Sequence, residues 1–382
     1  MKLHFDFIVV GVGSMGSAAA YFLAKHGYSV LGIDQFDPPH ELGSHAGQSR
    51  IIRKAYFEHP DYVPLLQRAY DLWKAFEHET GKQFYYETGI VYFGDADHPT
   101  LSGVRNSAAL YDVNVEVYDK KKSAEQFPAF KIPEAFQTLI EPEAGFVRPE
   151  FAIENYLSEA ERHGAHIHRN EKVLRWGSGA QGVSVTTDKQ TYHASKLILC
   201  GGSWMKNLVP SLQQHLKVTR QTLAWINPKD PDTFALGNFP CWFIEDPHLG
   251  MYYGFPILPF EKFGGPIGLK IASHRPGTIV EADNVERVTL PQEEHNIKAI
   301  LSKYFHGAGD EIISLKTCLY TYSPDENFII DILPDTHNRV VVAAGFSGHG
   351  FKFVPVVGEV LAELAEREST SLPINFLKYS RL

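Results

Sequence analysis

The chain has little cysteine: three residues in 382, Cys200, Cys241 and Cys318, far apart and odd in number. No disulfide framework or zinc-ligand spacing can be built from them, so a reducing, cytoplasmic setting and no metal are expected. Excess positive charge is also missing. Lys and Arg number 36 against 45 Asp and Glu, a formal net charge of −9, which argues against a nucleic-acid partner. No apolar run is long enough to span a bilayer, so no membrane association is expected. The N-terminus does not read as a secretory signal, because Asp6 interrupts it and the apolar run leads straight into a glycine turn. Repeats, low-complexity segments and obvious linkers are absent. The final Ser380-Arg381-Leu382 would be a peroxisomal address only in a eukaryotic source. What remains, 44% hydrophobic and 21% charged residues over 382 positions, is ordinary for a globular enzyme with room for two domains.

The most informative segment is the first. Phe7-Ile8-Val9-Val10 reads as a buried strand and runs into Gly11-Val12-Gly13-Ser14-Met15-Gly16 and a helix beginning Ser17-Ala18-Ala19-Ala20. Ser29 to Ile33 is the next strand, closed by Asp34. This is the spacing of a dinucleotide-binding βαβ unit. Gly11 permits the tight turn, Gly13 lets a pyrophosphate approach the backbone, and Gly16 lets helix and strand pack closely. Free N–H groups at the helix start, around Ser14 and Met15, face the phosphates. The Asp34 carboxylate is placed to accept hydrogen bonds from a ribose.

Further along, Gln35 to Ser49 is a long polar loop. Asp61 to Glu79 carries Tyr62, Leu65, Leu66, Ala69, Trp73 and Phe76 at helical spacing. Gly89 to Phe93 and Val183 to Thr187 read as strands, and Pro149 to His163 as a helix with proline in its first turn. Leu197-Ile198-Leu199-Cys200-Gly201-Gly202 is an apolar strand ending in glycines, as expected for a buried parallel strand that meets a ligand. From Gln221 to Lys270 aromatics and prolines dominate, which suggests an antiparallel sheet walling a substrate cavity. Val340 to Ala344 returns to a buried strand and leads through Gly345-Phe346-Ser347-Gly348-His349-Gly350-Phe351 into a helix over about 352–367. The expected fold is therefore mixed α/β: a Rossmann-like nucleotide-binding domain assembled from 1–80, 145–220 and 312–382, and a substrate domain from 81–144 and 221–311.

Several motifs occur in one order along nearly the whole chain: the opening fingerprint, Gly43-Ser44-His45-Ala46-Gly47-Gln48-Ser49-Arg50-Ile51-Ile52-Arg53, Tyr252-Tyr253-Gly254-Phe255-Pro256, Gly268-Leu269-Lys270, Cys318-Leu319-Tyr320-Thr321, Asp325 to Asp331, and Gly345 to Lys352. Together they resemble the family of monomeric sarcosine oxidases and N-methyltryptophan oxidases. The resemblance implies an FAD-dependent, monomeric oxidase of secondary amino acids, N-methyl or cyclic. Such an enzyme gives an imine that hydrolyses to aldehyde and amine, and passes the electrons to O2 to form hydrogen peroxide. It further implies a covalent flavin link at Cys318, where a thiolate is the nucleophile, and an oxygen-activating cation at Lys270. Arg53 and Lys352 are implied to hold the substrate carboxylate, by a planar fork and a point charge respectively. Arg50 is implied to lie against the flavin; Tyr253, His274 and Tyr320 are implied to line the substrate pocket. Gly43, Ser44 and His45 are expected at the cofactor, together with Gly345, Ser347, Gly348, His349 and Gly350, whose backbone N–H groups and following helix favour negative charge. Glu58 either neutralises one of the arginines or is solvated.

The chain departs from the family at Ala46, where a second histidine is common, and over Leu258 to Gly265, which is longer than in the sarcosine enzymes. The first departure weighs against sarcosine itself as the best substrate; the second would reshape the cavity mouth. An FAD dehydrogenase feeding a quinone or carrier, and a non-catalytic flavin-binding protein, are the competing expectations.

Overall fold

A computed structural model describes residues 3–274, 276–288 and 290–382. Strand β1 (His4–Val10), helix α1 (Ser14–Lys25) and strand β2 (Val30–Ile33) form the opening unit. β1 lies at the centre of a parallel run, between β2 and residues His193–Leu199 of the strand Thr191–Leu199. That run continues to His166–His168 on one side and Val340–Ala344 on the other, with Ile329–Ile332 added antiparallel at the edge. The parallel core strands are buried on both faces, as their unbroken apolar sequences require. α1 packs between the helices Pro149–Arg162 and Val354–Arg367. Its small residues permit close approach, and a Cβ at Gly358 would meet Ala18 at 2.5 Å.

The second sheet has eight strands in the order Glu311–Tyr322, Lys217–Asn227, Leu269–Ser273, Gly250–Phe255, Cys241–Asp246, Ile90–Asp95, Phe136–Glu141 and Glu116–Tyr118. It is antiparallel as expected except at one seam, where Cys241–Asp246 and Ile90–Asp95 run parallel. A small third sheet joins Arg50–Ile52, Gly145–Val147 and Tyr85–Glu87.

Two expected boundaries shift. Glu311–Tyr322 pairs along its length with Lys217–Asn227, so residues 217–220 and 312–322 lie in the second sheet and not with the nucleotide-binding strands. Long-range strand pairing, invisible in local pattern, decides this. The helix expected from Lys352 instead begins at Val354, after a 3-10 turn over Phe351–Phe353. The helices Pro99–Tyr111 and Pro291–Tyr304 were not anticipated from the sequence. Among the described residues no helix is long and apolar enough to cross a membrane.

Candidate active site

The first turn behaves as its glycines require. Gly11 has φ of +83°, and a Cβ there would lie 2.5 Å from the Cys200 carbonyl oxygen; a Cβ at Gly16 would lie 2.0 Å from the Gly11 oxygen. Val12 N–H donates to Asp34 Oδ2 and Phe36 N–H to Oδ1, each at 3.0 Å. These bonds aim the carboxyl at the mouth of α1, while burial pushes its pKa up to about 6.

A single cavity of about 630 Å³ runs from this turn to the second sheet. Gly11, Gly13, Ser14, Met15 and Asp34 line one end. Gly43, Ser44, His45, Arg50, Leu319, Thr321, Gly345, Gly348 and Gly350 line it further on, and Arg53, Glu58, Tyr253, His274, Tyr320, His349 and Lys352 complete it. The fit to a dinucleotide is physical: a glycine turn, an acidic ribose acceptor, and a second glycine loop where a Cβ at Gly348 would strike the Tyr320 ring at 2.3 Å. Four of the anticipated residues, Gly16, Lys270, Cys318 and Ser347, are not on the cavity wall. Gly16 serves helix–strand contact. Ser347 is buried, and its hydroxyl donates to the Gly345 carbonyl at 3.1 Å.

Cys318 sits on the strand whose next three residues all reach the cavity, and it shares a sheet face with Tyr320. The thiol is 1% exposed. Burial raises its pKa, against the pull of Arg50, Lys270 and Arg287.

The two arginines, three residues apart, serve different clusters. Arg50 begins the strand Arg50–Ile52 and turns its guanidinium onto the preceding loop, donating to the carbonyls of Ser49 (2.9 Å), Ser44 (3.0 Å) and Ala46 (2.6 Å). Lys270 joins it from the second sheet: Nζ donates to the carbonyls of Gly47 (2.5 Å) and Ser49 (2.8 Å) and to Ser49 Oγ (3.1 Å). It lies 4.4 Å from the Phe255 ring centre. Burial, then Arg50, push the Lys270 pKa down, but Nζ donates to three oxygens, a set that the three N–H groups of the ammonium fill and the two of a neutral amine do not. The loop is fixed from outside by Glu150, whose Oε1 accepts from Gly47 N–H (2.5 Å) and Gln48 N–H (3.1 Å). Gln48 adopts φ of +67°. Its side chain accepts from Trp225 Nε1 at 2.8 Å and donates to the Gly264 carbonyl, tying the Leu258–Gly265 segment to the site.

Arg53 follows the strand and points the other way. Nη2 donates to both Glu58 oxygens at 2.6 Å, and Nη1 to the Ala55 carbonyl at 3.0 Å. The guanidinium stacks on Tyr56 (4.2 Å) and Phe57 (4.1 Å), while Nε is buried without a partner. Glu58 is thus the neutralising group and not a solvated one. Burial alone would raise its pKa, but Arg53, His349 and Lys352 hold it at about 2. Lys352 Nζ donates to the His349 carbonyl at 2.6 Å and to Tyr56 Oη at 3.3 Å. Burial, then Arg53, lowers its pKa to about 7. Tyr253 and Tyr320 hydroxyls meet at 3.1 Å, and the His274 ring faces both at about 6 Å between centres. Burial takes His274 to about 4 and His45 to about 3, so both are neutral at neutral pH.

Sequence reasoning missed Tyr56, Gln48, Glu141 and Glu150. Glu141 is fully buried and accepts from the N–H groups of Lys54 (2.5 Å) and Ala55 (3.2 Å), bracing the turn that carries Arg53. Of these only Tyr56 and Gln48 had a usable signal, their closeness in sequence to Arg53 and Arg50. Glu141 and Glu150 come from elements 87 to 103 residues away.

A family model described as FAD dependent oxidoreductase matches residues 6–364. The monomeric sarcosine oxidase of Streptomyces avermitilis is 38% identical over 383 residues, covering 100% of this chain and 99% of that protein. The N-methyl-L-tryptophan oxidase of Yersinia pestis is 34% identical over 381 residues, covering 99% and 100%. Among solved structures, the open form of NikD, an amino acid oxidase, matches with a TM-score of 0.86 at 25% identity over 99% of this chain and 98% of that one.

Proposed function

The chain belongs to the FAD-dependent oxidoreductase family, and from that premise we propose that it is an oxidase of secondary α-amino acids, N-methyl amino acids foremost. The observation that carries this reading is the Arg53–Glu58–Lys352 cluster, which opens on the same cavity as the Gly11–Asp34 cradle. Gly11, Gly13, Ser14, Met15 and Asp34 would hold the ADP half of FAD, and the Gly345–Gly350 loop with Gly43, Ser44, His45 and Arg50 the flavin half. Bound FAD supplies the two-electron acceptor for C–H oxidation.

The protein's own part is positioning and charge. Arg53 and protonated Lys352 dock the substrate carboxylate, which fixes the amine and its neighbouring C–H bond in the cavity. Tyr253, Tyr320 and neutral His274 wall the amine and add no competing cation. No side chain is required to take the C–H proton, since the hydrogen leaves with its electron pair. Lys270, in its cage of carbonyls, provides positive charge where oxygen is reduced. Support for the substrate class comes from the two curated relatives, which are named for N-methylated amino acids differing greatly in side-chain size. Ala46 and the Leu258–Gly265 extension supply the differences from the sarcosine enzymes.

The test is an anaerobic panel of sarcosine, N-methyltryptophan, pipecolate and proline, followed by air. Bleaching of the flavin and then peroxide in step with oxygen uptake are expected; no bleaching by any member overturns the reading. We further propose covalent flavin at Cys318. Acid-precipitated protein should stay yellow, and Cys318→Ala should release the colour to the supernatant.

A further inference from the structure

Deprotonation of a substrate ammonium beside a buried lysine raises a question of exit: the proton needs a path to water. Lys352 Nζ donates to Tyr56 Oη at 3.3 Å. Tyr56 Oη and His349 Nδ1 are 2.6 Å apart, and His349 Nε2 lies 3.1 Å from the Glu326 carbonyl oxygen. A carbonyl only accepts, so Nε2 carries the ring proton and Nδ1 accepts from the tyrosine. Every bond in the chain then has one direction, inward cation to outward carbonyl. Its inner three members are buried, whereas Glu326 is exposed, on a turn with φ of +61°. None of these hydrogen bonds is needed to dock a carboxylate or bind a flavin.

We propose that Lys352, Tyr56 and His349 form a proton relay that carries the proton lost by the substrate amine from the cavity to the surface at Glu326. The proposal rests on the amine-oxidising reading for its physiological proton, but the path itself can be tested without turnover. In the first step a substrate N–H bond breaks and an Nζ–H bond forms on neutral Lys352. The reactive neutral amine and the cation that pairs with the carboxylate arise together. In the second, once the product has left, Nζ gives a proton to Tyr56 Oη as the phenol proton passes to His349 Nδ1. The imidazolium then loses its Nε2 proton to water beside Glu326. Reorientation of the phenol and the imidazole tautomer resets the chain. No electrons move, and one proton leaves per amine.

The electrostatic surroundings suit this. Arg53 and Glu58 face Lys352 from the Arg53–Glu58 segment; Arg53 opposes its charge and Glu58 favours it. Burial holds His349 at about 3, against the pull of Glu58, which makes the imidazolium a passing state. Tyr62, whose ring centre lies 5.2 Å from that of Tyr56, and the nearby Tyr92 stay protonated, and with burial and Glu58 they keep Tyr56 a phenol.

The experiment uses the holoenzyme and acetate as the probe. At pH 8 acetate should bind with uptake of close to one proton, read by an indicator dye in stopped flow. In Tyr56→Phe and in His349→Gln that uptake should slow at least tenfold while the amount taken up is unchanged. Unchanged flavin absorbance and melting temperature show that the variants fold. Uptake at the wild-type rate in both variants overturns the relay. Acetate binding without proton uptake in the wild type overturns it as well. A wild type that takes up the proton through Tyr56 yet is bleached by no amine would keep the relay and remove the amine-oxidising reading.

Discussion

Two pairs of buried cations, three of whose members line one cavity while Lys270 lies behind its wall, are held in opposite ways. Arg50 and Lys270 touch no carboxylate; backbone carbonyls of residues 44–49 receive them, and the nearest acid, Glu150, is spent on N–H groups of the same loop. Arg53 and Lys352 instead surround a carboxylate, Glu58, and keep an unpartnered Nε and a lysine near its neutral point. Dipoles of carbonyls satisfy the donors of the first pair and leave its charge uncancelled, which suits a site that must favour a developing anion. The second pair is balanced by one acid, so it has room for one more carboxylate. Charge alone does not assign the two roles; the partners do.

The contrast breaks most strongly at Arg53. Arg53→Met leaves Glu58 buried and unpaired and removes the fork for the substrate, so kcat/KM for an amino acid should fall by about 1000-fold, roughly 4 kcal/mol. Steady-state kinetics with sarcosine or N-methyltryptophan read this, and reactivity of pre-reduced enzyme with oxygen should barely change. Lys270→Met should do the reverse. The second-order reaction of reduced enzyme with oxygen should slow by about 100-fold while anaerobic reduction by amine changes little, as expected for loss of one preorganised charge. If both variants lose both half-reactions equally, the division of labour fails.

Acidity sharpens the comparison next. Lys352 has a lowered pKa of about 7, so its cation is present below that pH and lost above it. Acetate, which brings no proton, should bind about tenfold more weakly for each pH unit above 7 until Lys352 is no longer the tighter-binding form. Titration of flavin absorbance with acetate from pH 6 to pH 9 measures this, and Lys352→Met should flatten the curve. A zwitterionic substrate carries its own proton and should show little dependence over the same range.

Much of this was legible in sequence because it is local. The Gly11–Gly16 turn, the helix following it and Asp34 form one unit within 24 residues, and apolar runs such as Val340–Ala344 read as buried parallel strands. The cavity residues Arg53, Tyr253, Tyr320 and Lys352 stood out through family motifs. The sequence did not show that Arg50 and Arg53 part company, since three-residue spacing allows either outcome and the extended backbone of Arg50–Ile52 decides it. Nor did it show the membership of Glu311–Tyr322 in the second sheet, or the supporting acids Glu141 and Glu150. These depend on pairings across some hundred residues, and an isolated glutamate gives no local sign of such a partner.

The smallest effect tests whether the carbonyl cage depends on its support. Gln48 holds the loop in the left-handed region and bridges Trp225 Nε1 to the Gly264 carbonyl. Gln48→Ala strands a buried indole N–H, which costs about 1–3 kcal/mol of stability. It also loosens the carbonyls of Gly47 and Ser49 around Lys270. Thermal melts should fall by several degrees. Oxygen reactivity should drop only a few-fold, because Lys270 keeps its charge and loses only the precision of its position. Amine reduction should not change, since Arg53 and Lys352 draw nothing from this loop. An oxygen reaction as slow as that of Lys270→Met would instead mean that the cage, and not the charge, governs that half of the site.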